Sequence, residues 1–172
     1  MTGVPALMTV EAAFRPLLFV GDRQAIGSAV ISWAESGLCT RIVRGHKMRT
    51  LSGLFDEFAA VFQFPLYFGE NWAAFDECIA ELEALSAGEG YVVLITEPDQ
   101  VLAEAEDETV RSLVDSLASA AAAWSVPVEL GEWWDRPAVP FHVLLAGEHH
   151  PVDVAARRWS AAGAEPIPFA QN

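Results

Sequence analysis

Positive charge is in short supply in this chain. Ten lysines and arginines stand against 24 acids among 172 residues, leaving a formal net charge of −14. A surface of that sign repels phosphate backbones and anionic lipids, so nucleic acid and membrane are poor partners and a basic protein is a good one. Cysteine is scarce too, with only Cys39 and Cys78. Two such residues make no disulfide framework, and both read as buried thiols. No apolar run approaches the roughly 20 residues that span a bilayer. The stretch up to Val20 carries Glu11 early and lacks a basic start followed by a clean apolar core, which predicts no signal peptide and a cytoplasmic location. Enzyme signatures are missing as well: there is no glycine-rich phosphate loop, no G-x-S-x-G elbow and no dinucleotide fingerprint.

Apolar residues make up 52% of the chain and are spread along its whole length, enough for one domain with a full core. The charge is distributed unevenly. No Lys or Arg occurs from Thr50 to Val110, a stretch that holds 14 of the 24 acids, whereas four of the ten basic residues crowd into 41–49. A one-signed block on a folded segment steers a cationic partner.

Hydrophobic periodicity predicts strands at 17–20, 41–44, 91–95 and 141–145. Tyr91-Val-Val-Leu-Ile95 and Phe141-His-Val-Leu-Leu145 are continuous apolar runs, as suits strands buried on both faces. Helices are expected at 24–36, from a Thr50 or Ser52 cap to Pro65, at 71–85, at 99–105, at 109–124 and, weakly, at 152–162. Strands separated by helices imply right-handed crossovers. The expected fold class is α/β, with a three-stranded parallel sheet packed by helices at 38–146. Residues 1–37 then form an N-terminal extension packed on the domain, and 147–172 a C-terminal extension.

Candidate chemistry is thin. His149-His150 are adjacent, point apart and read as a surface loop; His142 reads as a satisfied core residue. Cys78 lies on the apolar stripe of its helix with no histidine near it in sequence. The acids Asp76, Glu77, Glu81 and Glu83 lie on a straight helix, which does not wrap oxygens around a hard cation. No catalytic residue, metal site or cofactor is expected, and the protein is read as a non-enzyme.

Pro65-Leu-Tyr-Phe-Gly-Glu-Asn-Trp72 is short, aromatic and punctuated. Gly69 allows a tight turn, and Glu70 or Asn71 can cap the helix that follows. Tyr67 should be exposed, because its hydroxyl wants water or a partner; Phe68 and Trp72 suit core or surface equally. On the helix, Phe75, Cys78, Ile79, Leu82 and Leu85 share an apolar stripe. Ala73 and Ala80 make a low outer surface flanked by Asp76 and Glu83 on one side and Glu77 and Glu81 on the other.

The run Tyr67-Phe68-Gly69-Glu70-Asn71-Trp72-Ala73-Ala74-Phe75-Asp76-Glu77-Cys78-Ile79 resembles the motif of the barstar family of ribonuclease inhibitors: an aromatic pair, Gly, a variable residue, Asn, then a helix with an acid and a Cys. The likeness extends over roughly 40–146. It implies a three-stranded parallel sheet with helices, and a binding role in which the second helix and its preceding loop plug the active site of a small basic ribonuclease or a related toxin. It places Glu77 at the family's main acidic position and Tyr67, Gly69 and Asn71 at its loop contacts. The expected partner surface is therefore Tyr67, Phe68, Gly69, Glu70, Asn71, Ala73, Asp76, Glu77 and Glu81. Three positions depart from the family pattern: Glu77 is longer than the usual Asp, Ala73 replaces a second Asp, and Asp76 stands where a large aromatic can occur. Asp115 is one candidate for a further acid on a later helix. The alternative is a barstar-like interaction or immunity module with a partner that is not a ribonuclease, bound away from Glu77 through Trp133-Trp134 and the terminal extensions. A monomer is expected, since the charge disfavours self-association through the acidic face.

Overall fold

A computed structural model describes residues 3–171. The elements run α1 (Val4–Leu7), β1 (Leu17–Val20), α2 (Arg23–Glu35), β2 (Cys39–Arg44), α3 (Leu51–Val61), α4 (Trp72–Glu81), β3 (Tyr91–Thr96), α5 (Asp107–Trp124), β4 (Phe141–Gly147), α6 (His149–Ala161) and β5 (Ile167–Pro168). The expected three-stranded sheet is corrected to five strands, in the order β2-β3-β4-β1-β5, every neighbouring pair parallel. β2, β3 and β4 are the three strands expected. β1 joins through Leu17 opposite Leu144, and β5 through Ile167 opposite Leu17. The fifth strand escaped notice because Ile167-Pro168 is two residues long and contains a proline, which only an edge strand accepts.

Side chains on β3 and β4 alternate between two cores. Tyr91, Val93, Ile95, Phe141, Val143 and Leu145 face the larger one, with α3, α4 and α5. Val92, Leu94, Leu144 and Ala146 face a second, closed by Leu17, Phe19, Ala29, Trp33 and Phe169. Both faces are covered, which is why these strands read as unbroken apolar runs. Among the described residues no helix is long and apolar enough to cross a membrane.

Three local expectations change. The helix after Asn71 stops at Glu81 rather than Leu85, because Leu82 turns left-handed (φ 45°) once its N–H has made the last α-helical bond, to the Cys78 carbonyl. His149-His150 open α6 instead of lying in a loop, though both are exposed. The expected helix at 99–105 is only a 3₁₀ turn, Pro98–Gln100, followed by turns. His142 is buried as expected, its Nε2 2.8 Å from the Thr9 carbonyl, and burial pushes its pKa down. Cys78 is a buried free thiol, whereas Cys39 is half-buried rather than buried.

Candidate functional site

The site begins where α3 ends. Asn71 caps α4: its Oδ1 accepts from the Ala74 N–H at 2.9 Å, and its Nδ2 donates to the Gly69 carbonyl at 3.2 Å. That settles the choice of cap, and it frees Glu70 to point outward. The tight turn is not made by Gly69, which has an ordinary φ; Glu70 takes the left-handed conformation instead (φ 49°). What Gly69 supplies is clearance, because a Cβ there would lie 3.0 Å from the capping Nδ2 of Asn71.

The aromatic residues divide by role. Phe68 and Trp72 are half-buried, each edge-on to Phe55 at 5.7 and 5.1 Å between ring centroids. They pin the loop and the first turn of α4 to α3. Tyr67 is 72% exposed, as expected, and Leu66 beside it is fully exposed. Nothing in the periodicity separated Leu66 from the half-buried Phe64 and Phe68.

The opposite face of α4 is anchored through Phe75, Cys78 and Ile79, all buried. This leaves Ala73, Glu77 and Glu81 exposed and Asp76 half-buried, with one Asp76 carboxylate oxygen enclosed and lacking a hydrogen-bond partner. Glu83 lies past the helix, yet the reversal at Leu82 brings it within hydrogen-bonding reach of Glu81. Burial first, then the neighbouring Glu83 and Glu77 carboxylates, push the Glu81 carboxyl above the ordinary range. The Tyr67 phenol lies in the same field: Glu83 foremost, with partial burial, Glu81 and Glu77, raises its pKa. Tyr67, Glu77, Glu81 and Glu83 line one shallow pocket of about 130 Å³. Loop and helix thus form one surface. Among the described residues no cation pairs with Glu70, Asp76, Glu77, Glu81 or Glu83. Asp115 is exposed on α5.

One carboxylate behaves differently. Glu57 falls among Leu54, Phe58 and Val61 on the buried face of α3 and is 5% exposed. It accepts from the Arg44 backbone N–H, Nε and Nη2, each at 2.8 Å. These bonds hold its carboxyl below the ordinary range despite the opposing effect of burial. An acid sitting between helix-spaced core residues is the signal that marks it, and it ties α3 to the end of β2.

Fold and site define a class: an acidic α/β domain whose aromatic loop and helix carry carboxylates that no cation among the described residues neutralises. A family model of barstar, the barnase inhibitor, matches residues 38–146, and the chain belongs to that family. No curated protein matches it by sequence. Among solved structures it is similar to Cdc6p from Pyrobaculum aerophilum (TM-score 0.50, 13% identity, 91% of this chain and 38% of that one). It is also similar to a Walker-type ATPase of Pyrococcus abyssi (TM-score 0.52, 11% identity, 97% and 52%). The chain spans about half the length of these proteins or less, and at such identities the likeness is one of fold. Here the turn from β1 to α2 is only Gly21-Asp22, and the Asp22 carboxylate accepts from the Ala25 N–H at 2.8 Å, so the helix N-terminus is already occupied by an anionic group.

Proposed function

We propose that this protein inhibits a small basic ribonuclease, or a toxin related to one, by covering its active site with the 65–71 loop and α4. Family membership supports a role of this kind. The observation that carries it here is the acidic ridge of Glu77, Glu81 and Glu83 around the exposed Tyr67 ring, with no internal cation to neutralise it. In this reading Glu77 enters the place where substrate phosphate sits, and Tyr67, Phe68, Gly69, Glu70 and Asn71 form the loop contact. Ala73 gives a low point for a partner side chain to cross, and Asp76 and Glu81 flank it. The protein is a binding protein rather than an enzyme and needs no cofactor. It works as a monomer in the cytoplasm, as an immunity or regulatory partner of the nuclease. The acidity of the 50–110 stretch steers the encounter, so association is fast and salt-sensitive.

The test is titration into small basic ribonucleases, following RNA cleavage at low and physiological salt. Stoichiometric inhibition is expected, weakening as salt rises. Glu77→Ala should weaken binding about thirty-fold or more, as for a central interface residue. The reference scale for such charge pairs, about 1.5–7 kcal/mol, was itself measured on barnase and barstar and is not worked from this structure. Inhibition that Glu77→Ala leaves unchanged would sink the proposed site.

A further inference from the structure

A groove of about 740 Å³ opens beside the acidic ridge, between the end of α4 and the segment after α5. Glu81 and Glu83 of the α4 end line it together with Trp133 and Trp134 of the later segment, and with Trp124 and Arg136. Trp133 is 89% exposed and Trp134 is 50% exposed. They meet edge to face, 5.4 Å between centroids, and both line the groove.

The segment that carries the two indoles is tied down. The Asp135 carboxylate accepts from the Leu130 and Gly131 N–H groups at 3.0 and 2.8 Å. Val128 and Arg136 exchange backbone hydrogen bonds at 2.8 and 3.1 Å. Two exposed tryptophans on a fixed loop are what an interface anchor needs, because little freedom is left to lose on binding.

The chemistry of the groove selects its occupant. Aromatic faces opposite unpaired carboxylates attract a cation. The groove's own cation, Arg136, is already committed: it lies 4.3 Å above the Trp124 ring and donates to the Ala123, Val126 and Pro137 carbonyls. Among the described residues Glu81 and Glu83 therefore keep their charge uncompensated. A flat guanidinium can stack on an indole while its fork meets two carboxylates; a compact ammonium cannot do both. A second copy of this chain, at −14, is repelled.

We propose that this groove is an arginine subsite, in which a guanidinium from the basic partner protein stacks on Trp133 or Trp134 and is clamped by Glu81 and Glu83. It rests on the reading that the α4 face meets a basic protein, and it extends that contact to a loop outside the helix. Glu81 and Glu83 belong to both surfaces, so one partner can span them.

The test has two arms. In the first, the indole N–H signals of the full chain are followed by NMR during titration with acetyl-triarginine amide, and with acetyl-trilysine amide at the same ionic strength. The Trp133 and Trp134 signals should shift saturably with the arginine peptide, at least threefold more tightly than with the lysine peptide, and should stop responding in Glu81→Gln/Glu83→Gln. Indoles that stay still, or respond equally to both peptides or in the double variant, would overturn the subsite. In the second arm, Trp133→Ala and Trp134→Ala are measured against an inhibited ribonuclease, where loss of a stacked cation at either should weaken binding about three- to thirty-fold. Binding that Glu77→Ala abolishes but neither tryptophan variant nor the double variant changes would refute the subsite and leave the inhibitor reading intact. Saturable arginine binding at the indoles, with no ribonuclease inhibited, would support the subsite while the inhibitor reading fell.

Discussion

Trp124→Phe tests how the acidic end of α4 is held in place. Trp124 is 4% exposed at the end of α5, and its ring lies 4.9 Å from that of Tyr91. Its indole Nε1–H donates to the Ile79 carbonyl at 3.0 Å. Ile79 lies in the last turn of α4, where carbonyls have no partner within the helix, and the left-handed turn at Leu82 ends the helical bonding with the Leu82 N–H on the Cys78 carbonyl. The indole therefore satisfies a buried carbonyl that nothing else in the helix reaches. Phenylalanine leaves that carbonyl unpaired, at about 1–2 kcal/mol, and gives up part of the buried ring, at about 1 kcal/mol more. The expected loss is about 2–3 kcal/mol. At about 2–4 °C per kcal/mol for a domain of this size, Tm should fall about 5–10 °C. Urea denaturation should show a lower midpoint at unchanged slope. Trp133→Phe is the control: that ring is 89% exposed and its replacement should stay within about 0.5 kcal/mol. A loss under about 0.5 kcal/mol for Trp124→Phe, or equal losses for both variants, would refute the reasoning.

Two further outcomes probe parts of the fold that the family match does not cover or that the charge pattern hides. Phe169→Ala breaks an aromatic trio with Phe19 and Trp33, whose centroids lie 5.7 to 5.9 Å apart, and should cost about 3 kcal/mol by calorimetry; a change within 0.5 kcal/mol would mean the tail is no part of the folding unit. Glu57→Gln should flatten the acid limb of the stability curve. The Glu57 pKa is lowered in the folded state, so its stabilisation is complete above the ordinary glutamate value of 4.5 and is lost as pH falls through the lower folded value. Urea midpoints measured from pH 6 to pH 3 should therefore fall less steeply in the variant than in the parent, and parallel curves would count against the pair.

β3 and β4 read clearly because both of their faces are buried, which leaves His142 as the one buried polar side chain in an otherwise apolar run, Tyr91 apart. The two outer strands were harder. β1 was visible as Leu17-Leu-Phe-Val20, but nothing local says which neighbour it pairs with, and β5 is too short to leave a pattern. The loop motif was legible through its spacing, since an Asn cap and an apolar stripe are local features. The end of α4 was not, because a leucine in the left-handed conformation is selected by tertiary contacts and not by propensity. For the same reason the partnership of Glu81 with Glu83 and with the Trp133–Trp134 loop could not be read: it joins segments about fifty residues apart that meet only where α5 lies on α4.

The acidic ridge is a cost to the free protein. Three carboxylates crowd the end of α4, and burial first, then the neighbouring Glu83 and Glu77, push the Glu81 carboxyl above the ordinary range. A chain selected for stability alone would place a lysine within reach, as Glu57 was given Arg44. Here Arg136, the cation that lines the same groove as Glu81 and Glu83, is engaged by Trp124 and backbone carbonyls. The same molecule thus neutralises the carboxylate that holds α3 to β2 and leaves bare those around Tyr67. That contrast separates a carboxylate used to hold the fold together from carboxylates the fold does not use. It also shows why bulk composition cannot locate such a cluster: −14 is a property of the whole surface, whereas position and pairing of each acid are set by the fold.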